Sequence, residues 1–409
     1  MRGPLNELVR RPVRGLLKLL CVAAVLSGCG GGGSGGTDTA PAATTSAYSA
    51  GQITGFGSII VKGVRFDDSA ARVTDDDDVV HRNDELRLGM MVEIESTGTT
   101  ADASGTHAKA RDIRFGSEIV GPVSSVAADG TSIVVLGETV KITAATLFDD
   151  RLAGGLAGIV AGTTVVEVHG TLDVATGVYT ATRIEPKLAA AFFKLRGVVS
   201  NLDKTAHTFK IGTGTDTISY DGIAAAVPAA FDNGLLVRVR LQTTQVAGKW
   251  VATRIASALR KVEDHDEAEI EGTVTASTFA TDKKFSVNGI AVDATNAVFP
   301  QGTAGIVLGA RVEVHGSAVG GLIIATRVSV EDELEHEREG FELHGTISGL
   351  DNSAKTFVLR GVTVSFAATT LEVRKGTLAD LANGKKVEVK GTRSTDGTTL
   401  VAIRISFED

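Results

Sequence analysis

Gly309-Ala-Arg-Val-Glu-Val-His-Gly316, followed after a turn by Ala325-Thr-Arg-Val328, is the stretch whose reading decides the fold. A second copy reads Gly162-Thr-Thr-Val-Val-Glu-Val-His-Gly170 with Ala181-Thr-Arg-Ile184. Val-Glu-Val alternates with the period of a half-buried strand, and recurrence of one line along a chain marks a repeat architecture. Five copies occur, each headed by a glycine: Gly51, Gly121, Gly197, Gly272 and Gly345, at steps of 70, 76, 75 and 73 residues.

Inside each copy the strand period persists. Phe285-Ser-Val-Asn-Gly-Ile-Ala-Val292 is two strands around an Asn-Gly turn, the sequence that suits a two-residue hairpin. The element returns at Ile59–Phe66, Ile133–Val140 and Phe357–Val364. A third segment ends at Val298-Phe299 or Thr370-Leu371, and Leu378-Ala-Asp-Leu381 suits a short helical turn. The expected fold class is all-β, with five tandem small, partly open β-barrels (OB-like or SH3-like), each of five to six short strands. The expected modules are 51–118, 119–187, 188–267, 268–339 and 340–409.

The Glu of Val-Glu-Val and the Arg of Ala-Thr-Arg pair as Glu93/Arg111, Glu167/Arg183, Glu313/Arg327 and Glu388/Arg404, separated by 18, 16, 14 and 16 residues. Even separations keep two residues on one face when a hairpin lengthens. A cross-strand ion pair is therefore expected, worth a fraction of ~1 kcal/mol if exposed. The third module breaks the pattern by setting Arg238 against Arg254, so it should be locally different or contact another module's acid.

The Gly-x-Ile opening, the Phe-x-Val-x-Gly-Val element, the Gly-x-x-Val-Glu-Val-x-Gly strand and the closing Ala-Thr-Arg-Ile resemble the bacterial repeat domain called domain of unknown function 5666. The run Gly51-Gln-Ile-Thr-Gly-Phe-Gly-Ser58 is similar to the first copy in its lipoproteins. The resemblance covers nearly all of the chain beyond the N-terminal tether, most weakly the third module. It implies a small β-barrel fold and surface lipoproteins, and no activity.

The first residues carry a separate message. A basic start, an apolar run from Leu16 to Leu26 and small residues after it are the parts of a secretory signal, here 1–28. The apolar run is too short for a stable span. Leu26-Ser-Gly-Cys29 resembles the lipobox of bacterial lipoproteins, which implies a lipid on Cys29, and Gly30 after it implies the outer membrane. Residues 29–50, rich in Gly, Ser and Thr, read as a flexible tether. With Cys21 in the leader and Cys29 lipidated, no disulfide is available, so each module is expected to be held by its core alone.

The formal charge is −8, and the leader holds five cations against Glu7, so the chain without it carries −12. That sign repels phosphate backbones and argues against nucleic acid. Outside the Gly-rich tether no Gly-x-Ser-x-Gly elbow, phosphate-cradling loop or His-Glu-x-x-His is present, and no thiol remains for nucleophilic work. The chain reads as no enzyme, with no resident cofactor.

Three acidic runs are the residual signal. They are Glu263, Asp264, His265, Asp266 and Glu267, followed by Glu269 and Glu271; Glu331–Glu333, then Glu335, His336, Glu337 and Glu339; and Asp75–Asp78 with His81. Carboxylates beside imidazole are divalent-metal ligand types, although none has the spacing of an EF-hand or zinc site. Solvated linkers that hold modules apart by charge are the competing reading. His169 and His315 stand at equivalent strand ends. Sugar binding needs exposed aromatic platforms, for which Tyr220 and Trp250 are the candidates. The expected function is a non-enzymatic, lipid-anchored envelope binding or scaffold protein, meeting the membrane through its lipid and an envelope protein or glycan through its barrels. The alternatives are a metal-binding or metal-sensing protein and a polysaccharide-binding lipoprotein.

Overall fold

The computed structural model describes residues 45–102, 105–331 and 340–408. The leader, Cys29, Glu335, His336 and Glu337 lie outside the described residues.

The chain is all-β, and its strands form small closed five-stranded barrels. In the fourth repeat the opening strand His265–Ser277 pairs antiparallel with Lys284–Val287, which pairs antiparallel with Ile290–Asp293. Ile290–Asp293 then runs parallel to Leu322–Val330. That strand pairs antiparallel with Arg311–Val319, which returns antiparallel to the opening strand. The circuit is closed rather than partly open, because the parallel contact of Val292 with Ile323 joins the free edges.

The same order of pairings runs from Ser46–Phe56, Ile119–Val126 and Phe193–Asp203. It also runs from Phe341–Thr346, where Ile347 interrupts the opening strand before Ser348–Asp351. A short sixth strand joins some circuits, as Leu147–Phe148 does beside Val178–Pro186. Leu378–Asp380 is a 3-10 turn, where a helical turn was expected.

The last glycine of the repeated line has a steric cause. The register slips by one residue at His169/Gly170, His315/Gly316 and Lys390/Gly391. A Cβ at any of these glycines would fall inside 3.0 Å of a carbonyl oxygen across the hairpin, that of Thr180, Ile324 or Val401. Only glycine fits a bulge that tight.

The bulge lies just beyond the row where the ion pairs were expected. Glu313 stands opposite Ser329 and Arg327 opposite His315, so Glu and Arg share a face but sit diagonally. The same offset holds for Glu167 and Arg183 and for Glu388 and Arg404, while Arg111 falls at the slip itself. The expected Glu–Arg pairs are replaced by others. Arg183 reaches Asp149 at 2.8 Å, Arg404 reaches Glu372 at 2.8 Å, Arg111 reaches Glu95 at 3.5 Å, and Arg327 donates to Ser329 at 3.3 Å.

Two expectations about independence are corrected. Strand structure begins at Ser46, inside the expected tether, because Ala47, Tyr48 and Ala50 are buried. Ser46–Phe56 pairs with its own Met91–Thr97, and in parallel with His265–Ser277 and Phe341–Thr346 of the fourth and fifth repeats. Nor is each core separate. The second and third repeats share one apolar cluster, and the first and fifth share another. Units of about 70 residues bury a smaller fraction of their surface than larger domains do, and fusing cores raises it.

Candidate functional site

Two carboxylates of the first repeat's acidic run, those of Asp76 and Asp77, are spent on the third repeat. Asp75 Oδ1 accepts the backbone N–H groups of Asp77 and Val79, each at 2.9 Å, and this turn projects the next carboxylates outward. Asp76, only 5% exposed, meets Lys194 Nζ at 2.7 Å and Arg238 Nη1 at 3.5 Å. Asp77 meets Arg240 at 2.8 Å and Arg254 at 3.7 Å. The odd arginines of the third repeat thus answer another repeat's acids, one of the two outcomes their sequence allowed. Burial alone would raise the Asp76 carboxyl, but Lys194 and then Arg238 hold it below its ordinary value.

Beside this clamp lies a cavity of about 270 Å³ walled mainly by the first, third and fourth repeats, with Gly170 of the second. Arg260 pairs with Glu93 at 2.7 Å on its wall. Arg196 pairs with Glu118 at 3.0 Å and donates to the Asn288 carbonyl at 2.8 Å.

Two Glu/His sets bring their ligand atoms within 4.8 Å of one another: Glu269, Glu313 and His315, and Glu342, His344 and Glu388. Each already contains a protein cation. Lys62 Nζ lies 3.0 Å from Glu313 and 3.2 Å from Glu271, and Lys390 Nζ lies 2.8 Å from Glu342, which Arg65 also contacts. Hydrogen bonding from His315, reinforced by Lys62, holds Glu313 at about 2, while burial lifts Glu269 to about 7. Burial would raise Glu342 too, yet His344, Lys390 and Arg65 hold it at about 2. The pairing with Glu313 raises His315. A divalent ion would have to displace an ammonium from either set. Sequence reading named His315 and, in the acidic run, Glu269, but it missed Glu342 and did not bring Glu269 to His315, since only the register reveals these opening-strand positions.

The run expected to bind metal does not converge. Asp264 accepts Gly320 N–H at 2.7 Å, Asp266 accepts Ser46 N–H at 2.9 Å, and Glu267 accepts Thr99 Oγ1 at 2.8 Å. Glu263 is exposed, and His265 is turned inward, 4% exposed, with its ring 5.8 Å from that of Tyr48. These carboxylates stitch segments together, so they neither share a ligand position nor keep repeats apart. His169 is fully buried, with Nδ1 donating to the Gly116 carbonyl at 3.0 Å.

The expected glycan platforms are core residues. Trp250 is 8% exposed, edge-on to Phe193, and donates from Nε1 to Asp216 at 2.8 Å. Tyr220 is 4% exposed and packs against Phe209 and Phe231. Both faces that a sugar would stack on are taken by protein.

No curated protein matches the chain. A family profile, that of domain of unknown function 5666, matches residues 120–185, 271–329 and 344–406. Each match runs from an opening strand to a closing one, Ile119–Val126 to Val178–Pro186 in the first case. These three segments are thus matches to the family of domain of unknown function 5666, carried here as tandem repeats.

Proposed function

We propose that this chain is a non-enzymatic, lipid-anchored scaffold or binding protein of the bacterial cell envelope. In this reading it consists of five tandem barrels of one OB-like or SH3-like design. The observation that carries it is the clamp of Asp76 and Asp77 on Lys194, Arg238, Arg240 and Arg254. Charged groups at repeat positions are used to lock repeats together. A catalyst aims such groups at an open substrate position, whereas a scaffold needs its surfaces held in fixed relation. Leu26-Ser-Gly-Cys29 supports the lipid anchor, and the acidic balance supports a protein or glycan partner over nucleic acid.

The test uses the full chain expressed in a bacterium. Cys29→Ala should move it from the membrane to the soluble fraction, and capture of the lipidated chain from detergent-solubilised envelopes should recover a stoichiometric partner. Membrane retention of Cys29→Ala would remove the anchor. Hydrolase turnover that Glu313→Gln abolishes would overturn the non-enzymatic reading. A second reading, divalent-metal binding, is favoured by the set of Glu269, Glu313 and His315 rather than by the acidic linkers. Calorimetry with calcium, zinc, copper and nickel separates the two, and binding no tighter than about millimolar removes the metal.

A further inference from the structure

Asp76 faces more positive charge than one carboxylate balances. Lys194 and Arg238 both pair with its side chain, and Arg114 Nη2 takes its main-chain carbonyl at 3.1 Å. Arg238 donates to that same carbonyl, so two guanidinium groups share one oxygen. The carboxylate partner of Arg114 is Asp78, which is 76% exposed and so screened by water. Burial, with Arg260 and Arg114 alongside, holds the Arg238 guanidinium below its ordinary value, and Asp76 offsets only part of this. The cavity wall carries five cationic side chains against four carboxylates, those of Asp76, Glu93, Glu118 and Glu271.

The cavity beside them has donors to spare. Ser117 is 3% exposed and its Oγ has no hydrogen-bond partner among the described residues; Arg114 Nε likewise has none. Both residues belong to the cavity wall. Each orphaned buried donor carries a desolvation penalty that an acceptor drawn to the wall would relieve. The space of about 270 Å³ equals roughly nine waters at about 30 Å³ each, enough for a small ion with part of its hydration shell.

We propose that this cavity binds a small tetrahedral oxyanion, phosphate or sulfate, held between Arg114, Arg238 and Arg260. Planar guanidinium forks match oxyanion edges, which one compact carboxylate cannot satisfy for several arginines at once. Arg114 lies on Gly105–Gly116 of the first repeat, Arg238 on Leu236–Leu241 of the third, and Arg260 in the segment leading to the fourth. The bound ion would therefore cross-link three parts of the assembly. This inference stands apart from the scaffold reading and survives its failure.

The test is calorimetry on the purified, folded chain with sodium phosphate, sodium sulfate and sodium chloride at equal ionic strength. The expected result is saturable heat with phosphate or sulfate and none with chloride. Arg238→Gln should weaken binding about tenfold or more. Should that variant fail to fold, Glu93→Gln decides: it frees Arg260 from its carboxylate and should tighten phosphate about fivefold. Phosphate and sulfate both indistinguishable from chloride, or unchanged affinity in the folded variants, would overturn the site.

Discussion

Replacing Glu138 by Gln should stabilise the protein in neutral and alkaline solution. Glu138 lies on Glu138–Lys141 of the second repeat, 2% exposed, with the third repeat's chain laid over it. A Cβ added to Gly214 would fall inside 3.0 Å of its Oε1. Burial first, and the charge of Asp216 second, push its carboxyl from 4.5 to about 8. Trp250 Nε1 already holds Asp216 at 2.8 Å, so Asp216 stays where it repels Glu138.

The sign follows from proton binding. Unfolded Glu138 loses its proton near 4.5, while folded Glu138 keeps it until about 8. Its contribution to stability is therefore intact below 4.5 and is lost as pH rises through 8. At about 1.4 kcal/mol per pH unit, the loss reaches about 3 kcal/mol at pH 7 and approaches about 5 kcal/mol above pH 8. The group is almost fully buried, so little solvent screening reduces this. Gln keeps the shape without the charge. Between pH 5 and pH 9 the stability difference between Glu138→Gln and the parent should grow by about 4 kcal/mol. Denaturant unfolding followed by fluorescence is the assay, because Trp250 is the only tryptophan and sits on the neighbouring Asp216. Parallel stability curves for the two proteins across this range would refute the reasoning.

Asp76→Asn leaves Lys194 and Arg238 buried without their carboxylate, and should cost about 3–5 kcal/mol in denaturant unfolding. Gly316→Ala puts a Cβ against the Ile324 carbonyl, so hydrogen exchange should accelerate in 311–330 before it does elsewhere. Removing 340–409 strips the shared core from the first repeat, and should raise exchange at Ile59, Val61 and Phe66 although these lie far away in sequence. Unchanged protection there would mean that the first repeat folds on its own core.

What was legible in the sequence is what one hairpin can specify. Asn288 and Gly289 adopt φ of 49° and 88°, the paired left-handed values that an Asn-Gly turn demands. Val-Glu-Val lies on a strand whose valines point inward, with Val312 and Val314 fully buried. The parallel closure was not legible, since no turn sequence reports a pairing between residues some thirty positions apart. The bulge was half legible: its glycine recurred in the motif, but the slip that set Glu313 opposite Ser329 left no separate signal. Trp250 and Tyr220 misled because scarcity of aromatics says nothing about which are covered. The Asp75–Asp78 run misled differently, since Asp76 and Asp77 find their partners in a repeat more than a hundred residues on.

The positions where the copies diverge explain how a repeat protein comes to be one body. In a solenoid each repeat touches only its neighbours, and identical interfaces suffice. Here the first repeat touches the third through Asp76, the fourth through Lys62 and the fifth through Arg65. Three partners beyond its sequence neighbour, the second repeat, need three further surfaces on one small barrel. The shared line cannot supply them, because its valines fill cores and its glycines form bulges. They come from residues that change from copy to copy. The hairpin-turn position that is Lys62 in the first repeat is Leu136 in the second, Asn288 in the fourth and Arg360 in the fifth, and each meets a different environment. Lys62 reaches Glu271 and Glu313, Leu136 is buried, Asn288 receives Arg196, and Arg360 reaches the Gly57 carbonyl at 3.2 Å. Exchanging Lys62 for Leu would keep the hairpin and lose its ion pairs with Glu271 and Glu313 of the fourth repeat, which separates the residues that build a barrel from those that place it.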